Sequence, residues 1–123
     1  DSTVLGDNVN VASRLQELTK LFGARIIISE HTRAAIAADA AFEVRELGEV
    51  TVRGRKEAVR LFEVLNADAP ALRAAKRSTL SSHMEALELY RQGRFERAAA
   101  LWDQCLVDVP GDSVCRYLRS QCG

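Results

Sequence analysis

A stripe of apolar residues near the start of the chain constrains the fold more than any other feature. Its members follow one another at steps of four, three and four, the period of an α-helix with one buried side: Val11, Leu15, Leu18 and Phe22. Gly23 comes next, and glycine is common just past a helix C-terminus. The pattern predicts an amphipathic helix that is capped by Asp7 or Asn8 and ends near Phe22.

Two polar residues, Asn10 and Arg14, lie beside this stripe. A spacing of four puts both side chains on one helix face, about 100° round from the apolar side. An arginine there loses water and still reaches a bound anion, as arginines that stabilise a transferring phosphoryl group do. More often, such a pair is a capping Asn and an Arg that lays its stem along the helix, so spacing alone leaves both interpretations open.

The composition is that of an ordinary soluble globular chain. Of 123 residues, 47% are hydrophobic and 28% charged, which suits one domain and a small appendage. Lys+Arg and Asp+Glu number 17 each, so no overall basic field indicates nucleic acid. The small apolar run at residues 34–42 is too short to span a bilayer.

The cysteines indicate a reducing compartment. Cys105, Cys115 and Cys122 are three in number and not closely paired, which fits buried structural thiols better than a disulfide framework. No Cys-x-x-Cys pair occurs, so a metal site is not expected from them. We expect a cytoplasmic protein, or the cytosolic part of a membrane-anchored parent protein.

The first half alternates strands and helices. Residues 2–5, 25–28, 42–52 and 59–65 read as strands, and a short helix capped by Ser29 runs to about Ala38. Leu47-Gly48 interrupts the third strand and predicts a break or bulge. This order predicts the closing half of an α/β sandwich.

The second half reads as helical. Residues 67–78 are expected to be a linker that leads into a short helical stretch. An alternation of small and large residues then resembles a tetratricopeptide repeat: Ala86, Leu89, Gly93, Phe95, Ala98, Trp102, Cys105 and Pro110. A third helix, capped by Ser113, is predicted over residues 114–119. Because one repeat cannot bury both its faces, it should dock on the first half, a second chain or another protein. A peptide-binding groove is the less favoured reading.

The stretch from Thr3 to Leu15 resembles the signature of the class III nucleotide cyclases, a strand–turn–helix ending in Val-Asn-x-Ala-x-Arg-Leu. The resemblance implies that Asn10 orients the ribose of the nucleotide. It implies that Arg14 stabilises charge on the α-phosphate while the ribose 3′-hydroxyl displaces pyrophosphate. Thr3 falls at the position that helps to choose the purine, and many bacterial adenylate cyclases are similar in having Thr there.

The resemblance extends to about residue 65, through the sequences at 28–30, 47–52 and 62–64. Where the family usually has Val-Lys-Gly-Lys, with a phosphate-binding first Lys, this chain has Val52-Arg53-Gly54-Arg55. Arg53 keeps the charge, but its guanidinium is longer and planar. Without the resemblance, a basic turn of this kind is usually just solvated.

The cyclase resemblance implies an α+β sandwich, a ferredoxin-like cyclase half-domain, over residues 1–66. The sequence then predicts a linker at 67–78, and the resemblance to a tetratricopeptide repeat implies an all-α helical-hairpin tail at 79–123. The parent protein would be a head-to-tail homodimer that converts ATP to 3′,5′-cyclic AMP and pyrophosphate. Arg14 of one subunit would act in the site of the other. Two Mg²⁺ or Mn²⁺ ions would be held by aspartates that precede Asp1. A lysine that recognises the adenine would also precede Asp1. We therefore expect an excerpt of a longer polypeptide that is inactive alone.

Two other functions fit the sequence. One is a non-catalytic, cyclase-like module that dimerises while the tail recruits another protein. The presence of Thr3, Asn10 and Arg14 argues against a module that has lost its catalytic residues. The other is a guanylate cyclase. The preceding sequence would separate the first alternative from an enzyme, and a change of nucleotide would separate the second.

Overall fold

The computed structural model describes residues 15–51 and 58–123, and its contacts divide the chain into two units, Asp1–Val64 and Leu65–Gly123. In the first unit the elements in chain order are helix α1 (residues 15–22), strand β1 (Ile27–Ser29), helix α2 (Glu30–Ile36) and strands β2 (Val44–Thr51) and β3 (Ala58–Val64). In the second they are a 3₁₀ turn (Leu65–Ala67) and helices α3 (Pro70–Ser78), α4 (Leu80–Arg91), α5 (Phe95–Asp108) and α6 (Ser113–Ser120).

The three strands form one antiparallel sheet with β3 in the centre, in the order β1-β3-β2. Phe62 of β3 lies opposite Ile28, and the β2–β3 register runs from Val44 opposite Val64 to Thr51 opposite Ala58. Helix α2 contacts β1 and β3. The described chain is therefore of mixed α/β architecture, six helices and a three-stranded sheet, and is compatible with an α+β fold.

Helix α1 confirms the described part of the apolar stripe. Leu18 and Phe22 are buried, at 2% and 4% exposure, and Leu15 is half-buried. The helix ends where predicted, because Gly23 takes a φ of 72° and lets the Ala24 N–H reach back to the Thr19 carbonyl at 3.1 Å. Val11, Asp7 and Asn8 lie outside the described residues.

The predicted break in the third strand is a β-bulge. The pairing of β2 with β3 shifts between Glu46 and Gly48, and Gly48 has a φ of 100°. A residue with a β-carbon rarely adopts that conformation, so the glycine permits the extra residue without strain. Helix α2 is capped by Ser29 as expected, but it ends at Ile36 rather than Ala38.

In the second unit, α4 and α5 form an antiparallel hairpin. Gly93 turns the chain with a φ of 79°, and the Arg94 N–H donates to the Leu89 carbonyl at 2.9 Å. Ala86, Ala98 and Trp102 are fully buried, so small residues let the helices approach while the indole fills the space between them. The range 67–78, expected to be a linker leading into a short helix, is mostly helix α3.

The cap of α6 differs from the sequence prediction. The Asp112 side chain, not that of Ser113, accepts the Cys115 N–H at 3.2 Å, and Ser113 is the first helical residue. A carboxylate also suits the positive end of the helix dipole better than a hydroxyl. None of the described helices is both long and apolar enough to cross a bilayer.

Candidate functional site

The four residues that the sequence assigns to nucleotide binding and catalysis, Thr3, Asn10, Arg14 and Arg53, lie outside the described residues. The structure describes the two elements that lie next to these residues in the sequence, helix α1 and the β2–β3 hairpin. Helix α1 follows Arg14 directly, and strands β2 and β3 flank residues 52–57, which include Arg53. The geometry of helix α1 and of the β2–β3 hairpin therefore determines where the chain enters and leaves the segments that contain the predicted site residues.

Helix α1 is anchored by its apolar side. Leu18 and Phe22 are almost wholly buried, whereas Gln16, Glu17 and Lys20 are exposed. A fully buried Leu or Phe side chain contributes about 1.5–3 kcal/mol through the apolar area removed from water. The helix orientation is therefore fixed by two strong contacts one turn apart.

The β2–β3 hairpin is fixed by its register. Thr51 pairs with Ala58, so residues 52–57 connect two strands that remain paired up to their ends. A slip by one residue would move every side chain to the other face of the sheet and expose Leu61, which is fully buried. The ends of the segment that carries Arg53 are thus held at fixed positions.

A buried ion pair bridges the two strands of this hairpin. Arg45 of β2 lies opposite Glu63 of β3, and both side chains are almost completely buried. The Arg45 Nε–H donates to Glu63 Oε1 at 2.6 Å, and a second guanidinium nitrogen contacts the same oxygen. Because the two opposite charges lie together in a buried environment, replacing either one takes a compensating charge away from the other, which is costly.

A second pair lies on the other face of the same strands. Arg60 donates to both Glu46 oxygens, at 3.3 and 2.7 Å, and its guanidinium carbon sits 5.4 Å from the centre of the Phe62 ring. The hydrogen bond to Glu46, followed by the charge of that carboxylate, raises the pKa of Arg60. The Arg60 side chain is 45% exposed and that of Glu46 is 18% exposed, so water screens this pair more than the buried one and its contribution to stability is smaller.

Sequence reasoning missed both ion pairs. The signal that could have found the buried one is an inward position occupied by a charge on each strand: Glu63 follows Val59 and Leu61 at steps of two, and Arg45 precedes Leu47. Recognising the two as partners needs the strand register, which the spacing of one strand does not give.

In the helical unit a compact polar core surrounds His83. The Trp102 indole N–H donates to His83 Nδ1 at 3.1 Å, and Cys115 Sγ lies 3.9 Å from the same nitrogen. Because Nδ1 accepts this hydrogen bond, the neutral ring carries its proton on Nε2. Lys76 and Asp68 form a further buried ion pair at 2.8 Å. All of these groups are buried and contact one another within the helical unit.

Metal ligands are not brought together in the part of the chain that the structure describes. Across residues 15–51 and 58–123, no three His, Cys, Asp or Glu side chains lie close enough to hold an ion. Every buried side-chain nitrogen or oxygen in those ranges has a hydrogen-bond partner. The described residues thus include no group of side chains that could hold a metal ion.

Comparison with known proteins gives two relatives. Over 113 residues, or 91% of this chain, it is 34% identical to a Dictyostelium discoideum protein named "Adenylate cyclase, terminal-differentiation specific", of which the match covers 5%. Over 65 residues, or 52% of the chain, it is 43% identical to an Anabaena cylindrica protein named "Adenylate cyclase", of which the match covers 13%. The chain spans only a small part of each relative. No family model and no solved structure matches it.

The longer match has a structural consequence. Since it covers 91% of the chain, it extends across both units wherever it begins. The chain is therefore similar to the Dictyostelium protein in its helical unit as well as in its α/β unit.

Proposed function

We propose that this chain is the C-terminal part of a class III adenylate cyclase catalytic domain, followed by a tetratricopeptide-like helical tail. The observation that carries the proposal is the sequence relation to two proteins named adenylate cyclase. The strand–turn–helix signature from Thr3 to Leu15 supports the finer assignment to class III.

In the proposed reaction, the ribose 3′-oxygen of ATP bonds to the α-phosphorus and loses its proton. The bond from that phosphorus to the pyrophosphate oxygen breaks, which releases 3′,5′-cyclic AMP and pyrophosphate. Asn10 orients the ribose, and Arg14 stabilises the charge that develops on the α-phosphate. The buried anchors of α1 support these roles, because a rigid helix keeps a guanidinium placed at low reorganisation cost.

Arg53 and Thr3 are proposed to bind substrate. Arg53 would contact the nucleotide phosphates from the segment between β2 and β3, and the firm register of that hairpin supports such a role. Thr3 would favour adenine. We assign the two implied Mg²⁺ or Mn²⁺ ions no ligand in this chain, and we propose a homodimer in which Arg14 serves the partner's substrate.

The proposal is tested with the full-length protein that contains this chain. With ATP and Mn²⁺ or Mg²⁺, we expect 3′,5′-cyclic AMP and an equal amount of pyrophosphate, measured by chromatography. The 123-residue chain alone should form neither product. Preferential turnover of GTP would instead show a guanylate cyclase, and a folded full-length protein that cyclises neither nucleotide would be the non-catalytic module.

A further inference from the structure

We draw no further inference here: the strongest candidate, the group of large apolar side chains that the α/β unit leaves exposed at Leu21, Ile26 and Phe42, carries none, because nothing in the structure shows what covers them.

Discussion

Arg45 and Glu63 form a buried ion pair between the two strands of the β2–β3 hairpin. Both are charged and both are buried, and each removes the other's need for water. Taking two ions out of water costs several kcal/mol each, so we infer that this pair contributes more to the correct pairing of the strands than to the stability of the sheet. That specificity matters because the hairpin carries Arg53 between its strands.

Removing one partner should therefore be worse than removing both. Arg45→Met removes the Arg45 guanidinium from beside the buried Glu63 carboxylate and should cost about 3–5 kcal/mol of unfolding free energy, whereas Arg45→Met with Glu63→Leu should recover part of that loss. Urea unfolding, followed through the NMR amide signals of β1, β2 and β3, measures the difference.

The exposed pair supplies the control for this series. Arg60→Ala removes an ion pair from the same two strands but should cost less than about 1 kcal/mol, because water already screens it. An Arg45→Met variant as stable as Arg60→Ala would show that the buried pair does not hold the sheet.

At the same scale, local roles were predictable and long-range partners were not. The burial of Leu18 and Phe22 followed from helical period alone, since both lie on the same side of one helix. The partner of Trp102 is His83, 19 positions earlier in the chain, and no local pattern joins them. Asp112 and Ser113 are both competent caps, so the choice between them was decided by the chain's path into α6.

At the scale of elements, the glycines mark where helices and strands stop. Gly23 and Gly48 were each predicted to interrupt an element, and each has a positive φ, as has Gly93 between α4 and α5. Such positions are readable from sequence because the requirement is local: a β-carbon clashes with its own backbone in the left-handed region. Element lengths were less predictable, since packing against neighbours decides where the last turn frays.

The α4–α5 turn gives a direct test of that reasoning. A β-carbon on Gly93 would meet no atom within 4 Å, so Gly93→Ala should destabilise the helical unit through its φ of 79° alone, by about 1 kcal/mol. Unfolding in urea, followed by the fluorescence of Trp102, the single tryptophan, reports on this unit.

Gly111→Ala is the matched control, because that glycine is equally uncrowded and has no positive φ. It should be neutral or slightly stabilising, since alanine restricts the unfolded chain. Equal losses for the two variants would contradict the backbone explanation.

In the whole molecule, the sequence similarity and the described structure cover different residues. The sequence similarity to the Dictyostelium protein reaches across both units, whereas the structure describes the elements next to Asn10, Arg14 and Arg53 in sequence rather than those residues themselves. A contiguous signature is readable because its residues are neighbours in sequence. The buried Arg45–Glu63 pair was not, because its two residues lie on different strands, 18 positions apart.

The central claim is that Arg14 stabilises the transition state of nucleotide cyclisation, and its replacement in the full-length protein tests that claim most directly. Arg14→Ala should lower the turnover of ATP roughly a hundredfold or more with little change in stability, as for loss of one charge-stabilising donor. Arg25→Ala, which removes an exposed arginine just beyond α1, should leave turnover unchanged. Near-normal cyclic AMP formation by the folded Arg14→Ala protein would contradict the account.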